Sequence, residues 1–446
     1  MRAAQLKAVL PRELLASVVV FLVALPLCMG IAIASGLPPA KGLITGIIGG
    51  LVVGWLAGSP LQVSGPAAGL AVLVFELVRQ HGIAMLGPIL LLAGFLQLVA
   101  GRLKLGCWFR VTAPAVVYGM LAGIGVLIVL SQVHVMLDAV PKPSGLDNLA
   151  AFPAAVAQAL PSFGWQAGIL GLATIAVMYL WEKFRPHSLR FVPGALLGVG
   201  LATVASLVLA LQVKRVEVPA NLAEAIDWLK PADLLNLADP TVLIAAFAVA
   251  FIASAETLLS AAAVDRMHSG QRSDFDRELS AQGVGNMLCG LLGALPMTGV
   301  IVRSSANVQA GATTRFSAIF HGLWLLAFVL LLSSVLQSIP VASLAGVLVY
   351  TGFKLVDLKA FRGLGRYGRM PMFTYAATAL AIIFTDSRRP SSEILQRSPA
   401  LTPPLWRYTI HLPSAVADVG VCMPSALLVT RSSVPPPSAG LRKMFR

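Results

Sequence analysis

Apolar runs of helix length recur along this chain at about 14–35, 40–57, 84–101, 112–135, 167–182, 191–212, 239–263, 280–295, 314–337, 340–355 and 371–385. Each is long enough, or nearly so, to cross about 30 Å of hydrocarbon, where only structures that pair every backbone polar group internally survive. The expected fold is therefore an all-α polytopic membrane protein. Composition agrees, because 12% of the residues are charged and 57% are hydrophobic, against roughly a quarter charged in a soluble globule. The net charge of +14 does not point to nucleic acid, since the Lys and Arg sit in short loops between apolar runs. Arg102, Lys104 and Arg110, then Lys183, Arg185 and Arg190, then Arg266, Arg272 and Arg277, then Lys354, Lys359, Arg362, Arg366 and Arg369 all fall on one side. That bias predicts a multi-pass inner-membrane protein with a cytoplasmic N-terminus and with the loops at about 136–166 and 213–238 outside. Leu14 to Ala34, after Arg2, Lys7 and Arg12, reads as a first span and not as a cleavable signal.

Two further apolar segments are short and broken. Val63-Ser-Gly-Pro-Ala-Ala-Gly69 runs into Leu70 to Val78, and Pro296 runs on to Ala310. Each places a few extended residues and a Gly or Pro ahead of a helix start, and each is the third segment of its half of the chain. Interrupted helices at matching positions of two halves are the signature of an inverted-repeat transporter with its site near the bilayer midplane. The repeats are expected at about 11–212 and 239–386, joined by the polar linker from Gln212 to Asp239, with a last helix missing from the second. From Ser387 to Arg446 the composition changes to nine prolines and a net charge of +6, which predicts a disordered tail in residues 387–446.

Charged groups inside the spans are few. Glu256 falls in the middle of the run that begins at Thr241, where a charge costs about 2.5–3.5 kcal/mol and so usually faces a functional cavity. Ser260 is four residues on and shares its helix face. Arg303 follows the second broken segment. Plainer readings exist: a structural Glu256–Arg303 pair, Thr298 and Ser260 hydroxyls bonded to helix carbonyls, and Ser64-Gly-Pro66 as an ordinary kink. The charged stretch from Asp265 to Glu278 reads as a solvated loop, and Asp138, Asp227 and Asp233 as solvated acids. Cys28, Cys107, Cys289 and Cys422 are scattered, and the six histidines have no ligand spacing. With no nucleophile motif, phosphate loop or metal cluster, the chain does not read as an enzyme, and no cofactor is expected.

Four ordered stretches resemble the SulP anion transporters, the family that includes solute carrier family 26. They are Ala24-Leu-Pro26 through Gly36-Leu-Pro-Pro39, Gly58-Ser-Pro-Leu-Gln-Val-Ser64-Gly-Pro66, Glu256-Thr-Leu-Leu-Ser260 and Thr298-Gly-Val-Ile-Val-Arg303. The resemblance covers roughly residues 11–386. It implies a seven-plus-seven inverted repeat, a core domain moving against a gate domain, a homodimer, and a C-terminal STAS domain that this sequence lacks. The wording from Val23 to Ala32 is similar to a bacterial subgroup associated with carbonic anhydrase, which implies bicarbonate, with sulfate the other small inorganic anion. By the resemblance, Ala67 and Ala68 line one side of the anion site and Gly299, Val300 and Ile301 the other, mainly through backbone. Cys28 and Ile31 supply an apolar wall, Arg303 adds positive potential, and Glu256 with Ser260 couples transport to a proton or a sodium ion. Half-helix N-termini favour such an anion without a buried lysine. The alternatives are a nucleobase permease of the same plan, disfavoured because no acid occurs from Pro296 to Arg315, and a truncated, non-functional transporter.

Overall fold

The computed structural model describes residues 3–106, 114–142, 144–186, 189, 192–217 and 222–385. The expectations for the tail at 387–446, for Arg110 and Arg190, and for Cys107 and Cys422 lie outside the described residues. The first half comprises α1 (Ala3–Ala34), α2 (Pro39–Ile48), β1 (Ser64–Pro66), α3 (Ala71–His81), α4 (Ile83–Arg102), α5 (Pro114–Met136), α6 (Gly145–Ala159), α7 (Gly164–Phe184) and α8 (Gly194–Val208). After the linker come α9 (Pro240–Asp265), α10 (Phe275–Leu291), β2 (Met297–Gly299), α11 (Ile301–Gln309), α12 (Phe316–Leu331), α13 (Val341–Leu355) and α14 (Arg369–Thr385). Among the described residues, six helical stretches are long and apolar enough to cross a membrane, from Val9–Ala34 to Pro240–Asp265, and α8, α12, α13 and α14 are shorter apolar helices. The order helix, helix, strand-led half-helix opens both halves, as an inverted repeat requires.

The helices sort into two bundles. One holds α1 to α4 with α9 to α12, and the other holds α5, α7 and α8 with α13 and α14; α1 touches both. Small residues set the packing in the first bundle, because without a hydrophobic driving force helices in lipid gain by close backbone approach. Gly87 and Gly94 of α4 meet Gly290 and Gly283 of α10, both pairs spaced by seven residues, so the same faces meet at each repeat. A Cβ on Gly94 would lie 2.5 Å from the Gly283 carbonyl oxygen. Along α2, a Cβ on Gly42 would collide with the Cys28 carbonyl of α1, and one on Gly50 would sit 2.6 Å from Gly322 Cα of α12. After Ile48 the α2 helix widens into a π turn over Gly49–Val53.

Several expectations need correction. The run at 280–295 begins earlier, at Phe275, because the Asp274 side chain accepts the N–H groups of Asp276 and Arg277 as an N-cap. It stops at Leu291, two residues before Gly293 turns the chain at φ +61°. The charged stretch from Asp265 to Glu278 is solvated in its middle, where Arg266, Ser269, Gln271 and Arg272 are exposed, but its two ends are buried. Glu278 is fully buried and accepts the Ser59 N–H at 2.9 Å, and Asp265 accepts the Ser273 hydroxyl at 2.8 Å. Asp227 is a solvated acid, exposed at its outer side, and it also forms an ion pair with the buried Lys41 at 2.6 Å that anchors the linker to α2. Asp138 is half-buried and accepts the Lys214 N–H. The loop at 136–166 contains α6, started by Ser144, whose hydroxyl accepts the Asp147 N–H. The run at 314–337 divides at Leu332 into α12 and a short turn of helix.

A polar network was not anticipated. Asn286 of α10 accepts the Met297 N–H at 2.7 Å and donates to the Met297 carbonyl at 3.1 Å and to Gln97 Oε1 of α4 at 2.8 Å. Gln97 donates in turn to Ser254 of α9 at 3.1 Å. Three helices are thereby tied to β2. Replacing Asn286 with Ala leaves the Met297 N–H and carbonyl and the Gln97 carboxamide oxygen without these partners in a dry interior, at a cost of about 3 kcal/mol. The thermal midpoint of the detergent-solubilised protein is expected to fall sharply; an unchanged midpoint would show that water satisfies these groups.

Candidate functional site

The two broken segments cross as an antiparallel strand pair, with Ser64 opposite Gly299, Gly65 opposite Thr298 and Pro66 opposite Met297. Ala67 N–H to the Pro296 carbonyl (3.2 Å) and Val300 N–H to the Val63 carbonyl (2.9 Å) extend the pairing. Such non-helical backbone at membrane depth persists only where protein surrounds it or where it lines a cavity. Neighbouring helices hold the pair on all sides. The Thr257 hydroxyl of α9 accepts the Gly299 N–H at 3.1 Å, Gln62 Nε2 donates to the Thr257 carbonyl at 3.0 Å, and Gln282 of α10 donates to the Ser64 hydroxyl at 2.6 Å. Ser304 of α11 accepts the Val63 N–H at 2.9 Å.

Each strand turns directly into a helix. Ala67 is extended and leads through a tight turn at Ala68–Leu70 into α3, while Val300 caps α11. Because the strands are antiparallel, the two helices leave the crossing in opposite directions and their N-terminal ends meet there. The amides of Ala68 and Gly69, and those of Ile301, Val302 and Arg303, have no carbonyl one turn back to receive them. Ala68, Gly69, Val300 and Ile301 are half-buried, so this end of the crossing is not packed over. Here the expectation for the backbone donors needs correction: the N–H groups of Ala67, Gly299 and Val300 are spent in holding the crossing together. An anion is left with the amides just beyond them.

Glu256 lies one residue before Thr257, so the helix that bolts β2 in place also brings a carboxyl to the same point. It is half-buried, and it faces the Gly69 N–H and the Thr298 hydroxyl. A Cβ on Gly69 would lie 2.8 Å from Glu256 Oε2, so a side chain there would push the carboxyl aside. Neither Glu256 Oε2 nor the Thr298 hydroxyl has a hydrogen-bond partner among the described residues. Thr298 therefore does not bond back to a helix carbonyl. Ser260 is buried one turn further along α9.

Arg303 is elsewhere in the arrangement than a Glu256 partner would be. Its side chain is fully buried beside Cys28 of α1 and His321 of α12, with the guanidinium packed on the backbone of Gly65. None of its Nε, Nη1 and Nη2 atoms has a hydrogen-bond partner among the described residues, and no ion pair joins it to Glu256. A structural Glu256–Arg303 pair is thereby ruled out. Cys28 is fully buried against Gly46 of α2, and Ile31 is 2% exposed, so both belong to the packed interior of α1. The structure thus gathers Ala67, Ala68, Gly299, Val300, Ile301 and Glu256 at the crossing, and it places Cys28 with Arg303 beside it.

The sulfate permease family model matches residues 10–378. This chain belongs to the sulfate permease family. Among its relatives in that family, the protein YvdB of Bacillus subtilis, provisionally named a sulfate transporter, is 30% identical over 84% of this chain and 70% of its own length. The bicarbonate transporter BicA of Synechocystis is 27% identical over 71% of this chain and 57% of its own length. The transmembrane domain of a cyanobacterial BicA superposes with a TM-score of 0.74 at 26% identity, over 84% of this chain and 96% of that domain. SLC26A9 shares the fold, with a TM-score of 0.71 at 16% identity over 85% of this chain and 63% of its own. These matches establish the seven-plus-seven inverted-repeat fold of the family.

Gln62, Thr257, Gln282 and Asn286, which fix the crossing, were missed in the sequence. The available signal was amide and hydroxyl side chains in or beside apolar runs, where polar residues are rare. Gly299 tests the clamp, because a Cβ there would collide with Gln62 Nε2. Gly299→Ala is expected to reduce the monodisperse, folded fraction on size-exclusion chromatography several-fold, and adding Gln62→Ala to recover part of it. No recovery in the double variant would place the fault in the strand backbone itself.

Proposed function

We propose that this protein is a secondary active transporter of a small inorganic anion, bicarbonate or sulfate, driven by sodium or protons. The observation that carries the reading is the meeting of two opposed half-helix N-termini with one carboxyl, Glu256, at the strand crossing. The first-turn amides of α11 and the Ala68 amide ahead of α3 supply hydrogen-bond donors, with the positive ends of two helix dipoles behind them, which suits a dehydrated oxyanion. Membership of the sulfate permease family, with relatives named for sulfate and for bicarbonate, supports the substrate class.

Glu256 gives the coupling its physical basis. An ionised carboxylate beside the Gly69 amide competes with an arriving anion for the same positive helix end. Binding a proton, or a sodium ion held with the Ser260 hydroxyl, cancels that repulsion, so cation and anion load together. The bundle that carries the crossing then moves against the bundle of α5, α7, α8, α13 and α14, exposing the site alternately to either side. Arg303, buried with no counter-charge in contact, keeps the crossing electropositive throughout.

Uptake of radiolabelled bicarbonate and sulfate into proteoliposomes, with and without sodium and proton gradients, tests the reading. Accumulation of neither anion under any gradient would overturn it. Glu256→Gln is expected to insert and purify normally yet to lose the cation dependence of uptake; retained dependence would remove the coupling role. Arg303→Ala is expected to raise the anion KM about tenfold, about 1.4 kcal/mol of lost electrostatic attraction. A lower KM would assign the arginine a different part.

A further inference from the structure

The connection from α13 to α14 carries five cations, Lys354, Lys359, Arg362, Arg366 and Arg369, against one acid, Asp357. A short helix over Leu358–Leu364 and a turn over Gly365–Tyr367 build it. Asp357 starts the helix by accepting the Lys359 N–H at 2.9 Å. Phe361 turns inward, with its ring 5.1 Å from that of the buried Tyr375 of α14, and so fixes the helix to its bundle. Lys359, Arg362 and Arg366 follow one another at three and four residues, which gathers them on one exposed face. Arg369, at the start of α14, is exposed beside them.

Two features separate this surface from an ordinary solvated loop. The first is that its cations are free. Lys354 pairs with Glu182 at 2.6 Å, but none of Lys359, Arg362, Arg366 and Arg369 is in an ion pair among the described residues. The arginines that the loop charges put on the same side of the other bundle are held by its backbone: Arg277 donates to the Leu56 carbonyl at 2.9 Å, Arg315 to the Trp55 carbonyl at 2.8 Å, and Arg272 to the Asp265 carbonyl. The second feature is that large apolar side chains stand uncovered among the free cations. Tyr367, Met370 and Phe373 are 82%, 75% and 69% exposed. Water solvates the cations but gains nothing from these three. A bilayer surface suits both kinds, because aromatic side chains settle at headgroup level while Lys and Arg reach up to the phosphates.

We propose that the connection from α13 to α14 is a binding surface for anionic phospholipids of the cytoplasmic leaflet. Lys359, Arg362, Arg366 and Arg369 take the headgroup phosphates, and Tyr367, Met370 and Phe373 sit against the glycerol and upper acyl region. A run of basic residues directly beside a membrane helix gains about fivefold in affinity for such a surface per cation. The lipid is held by one bundle alone, the one that does not carry the strand crossing.

The experiment uses the full chain in detergent, with native mass spectrometry reading the binding of added dioleoylphosphatidylglycerol against dioleoylphosphatidylcholine. The anionic lipid is expected to bind at least tenfold more tightly. Arg362→Gln with Arg366→Gln is expected to weaken it about 25-fold, at about fivefold for each cation. The matched pair Arg102→Gln with Arg266→Gln, both also exposed, should change it less than twofold. Tyr367→Ser should weaken both lipids by a similar factor. In nanodiscs, hydrogen exchange across residues 358–367 of the native protein is expected to be several-fold slower in phosphatidylglycerol than in phosphatidylcholine, a readout that needs no substitution. Equal lipid affinities, equal losses in the two matched pairs, or exchange indifferent to the headgroup would overturn the assignment. Displacement of the lipid by glycerol 3-phosphate would make the surface a site for a free phosphate, and displacement by hexaglutamate a dock for an acidic protein segment; either result overturns it as well. None of these readouts depends on transport.

Discussion

The middle of a membrane protein is the one place where an unpaired peptide group finds no water, and this chain puts two short strands of non-helical backbone there. Everything around the crossing answers that constraint. The strands pair with each other, and the surplus donors and acceptors at their ends are taken up by Thr257, Gln282, Asn286 and Ser304. A handful of peptide amides at the helix starts is left over, and those are the ones available to a ligand. The receptor is in this sense a remainder, the part of the backbone that the clamps do not consume.

The clamps need close neighbours, and glycine provides them. The paired glycines of α4 and α10 bring two backbones together so that Gln97 and Asn286 meet, and Asn286 then reaches Met297. On the other side, Gly42 and Gly50 let α2 fit between α1 and α12. The small residues therefore act at one remove on the site, by allowing the polar side chains to touch it.

Much of this was legible beforehand. The apolar runs, the matched broken segments and the isolated Glu256 follow from the chemistry of hydrocarbon, which leaves few alternatives. What escaped notice depends on partners far away in sequence. Nothing near Glu278 announces that Ser59 will cover it, nor does Asp227 reveal that Lys41 lies beneath. The amide donors of Ala67, Gly299 and Val300 were misjudged for the same reason: an N–H at a helix start looks free until its strand partner is known. Arg303 could be placed near the site from its spacing, but its packing on Gly65 required the fold.

The pairing of Ser64 with Gly299 also bears on how the molecule is made. One strand belongs to the first half of the chain and the other to the second, so during synthesis β1 enters the membrane long before β2 exists. Until then the bare edge around Ser64, Gly65 and Pro66 must be sheltered by water, by the insertion machinery or by a temporary neighbour. Completion of the binding site thus waits for the second half of the chain, and a ribosome that stalls within α9 or α10 releases a bundle whose central seam is still open.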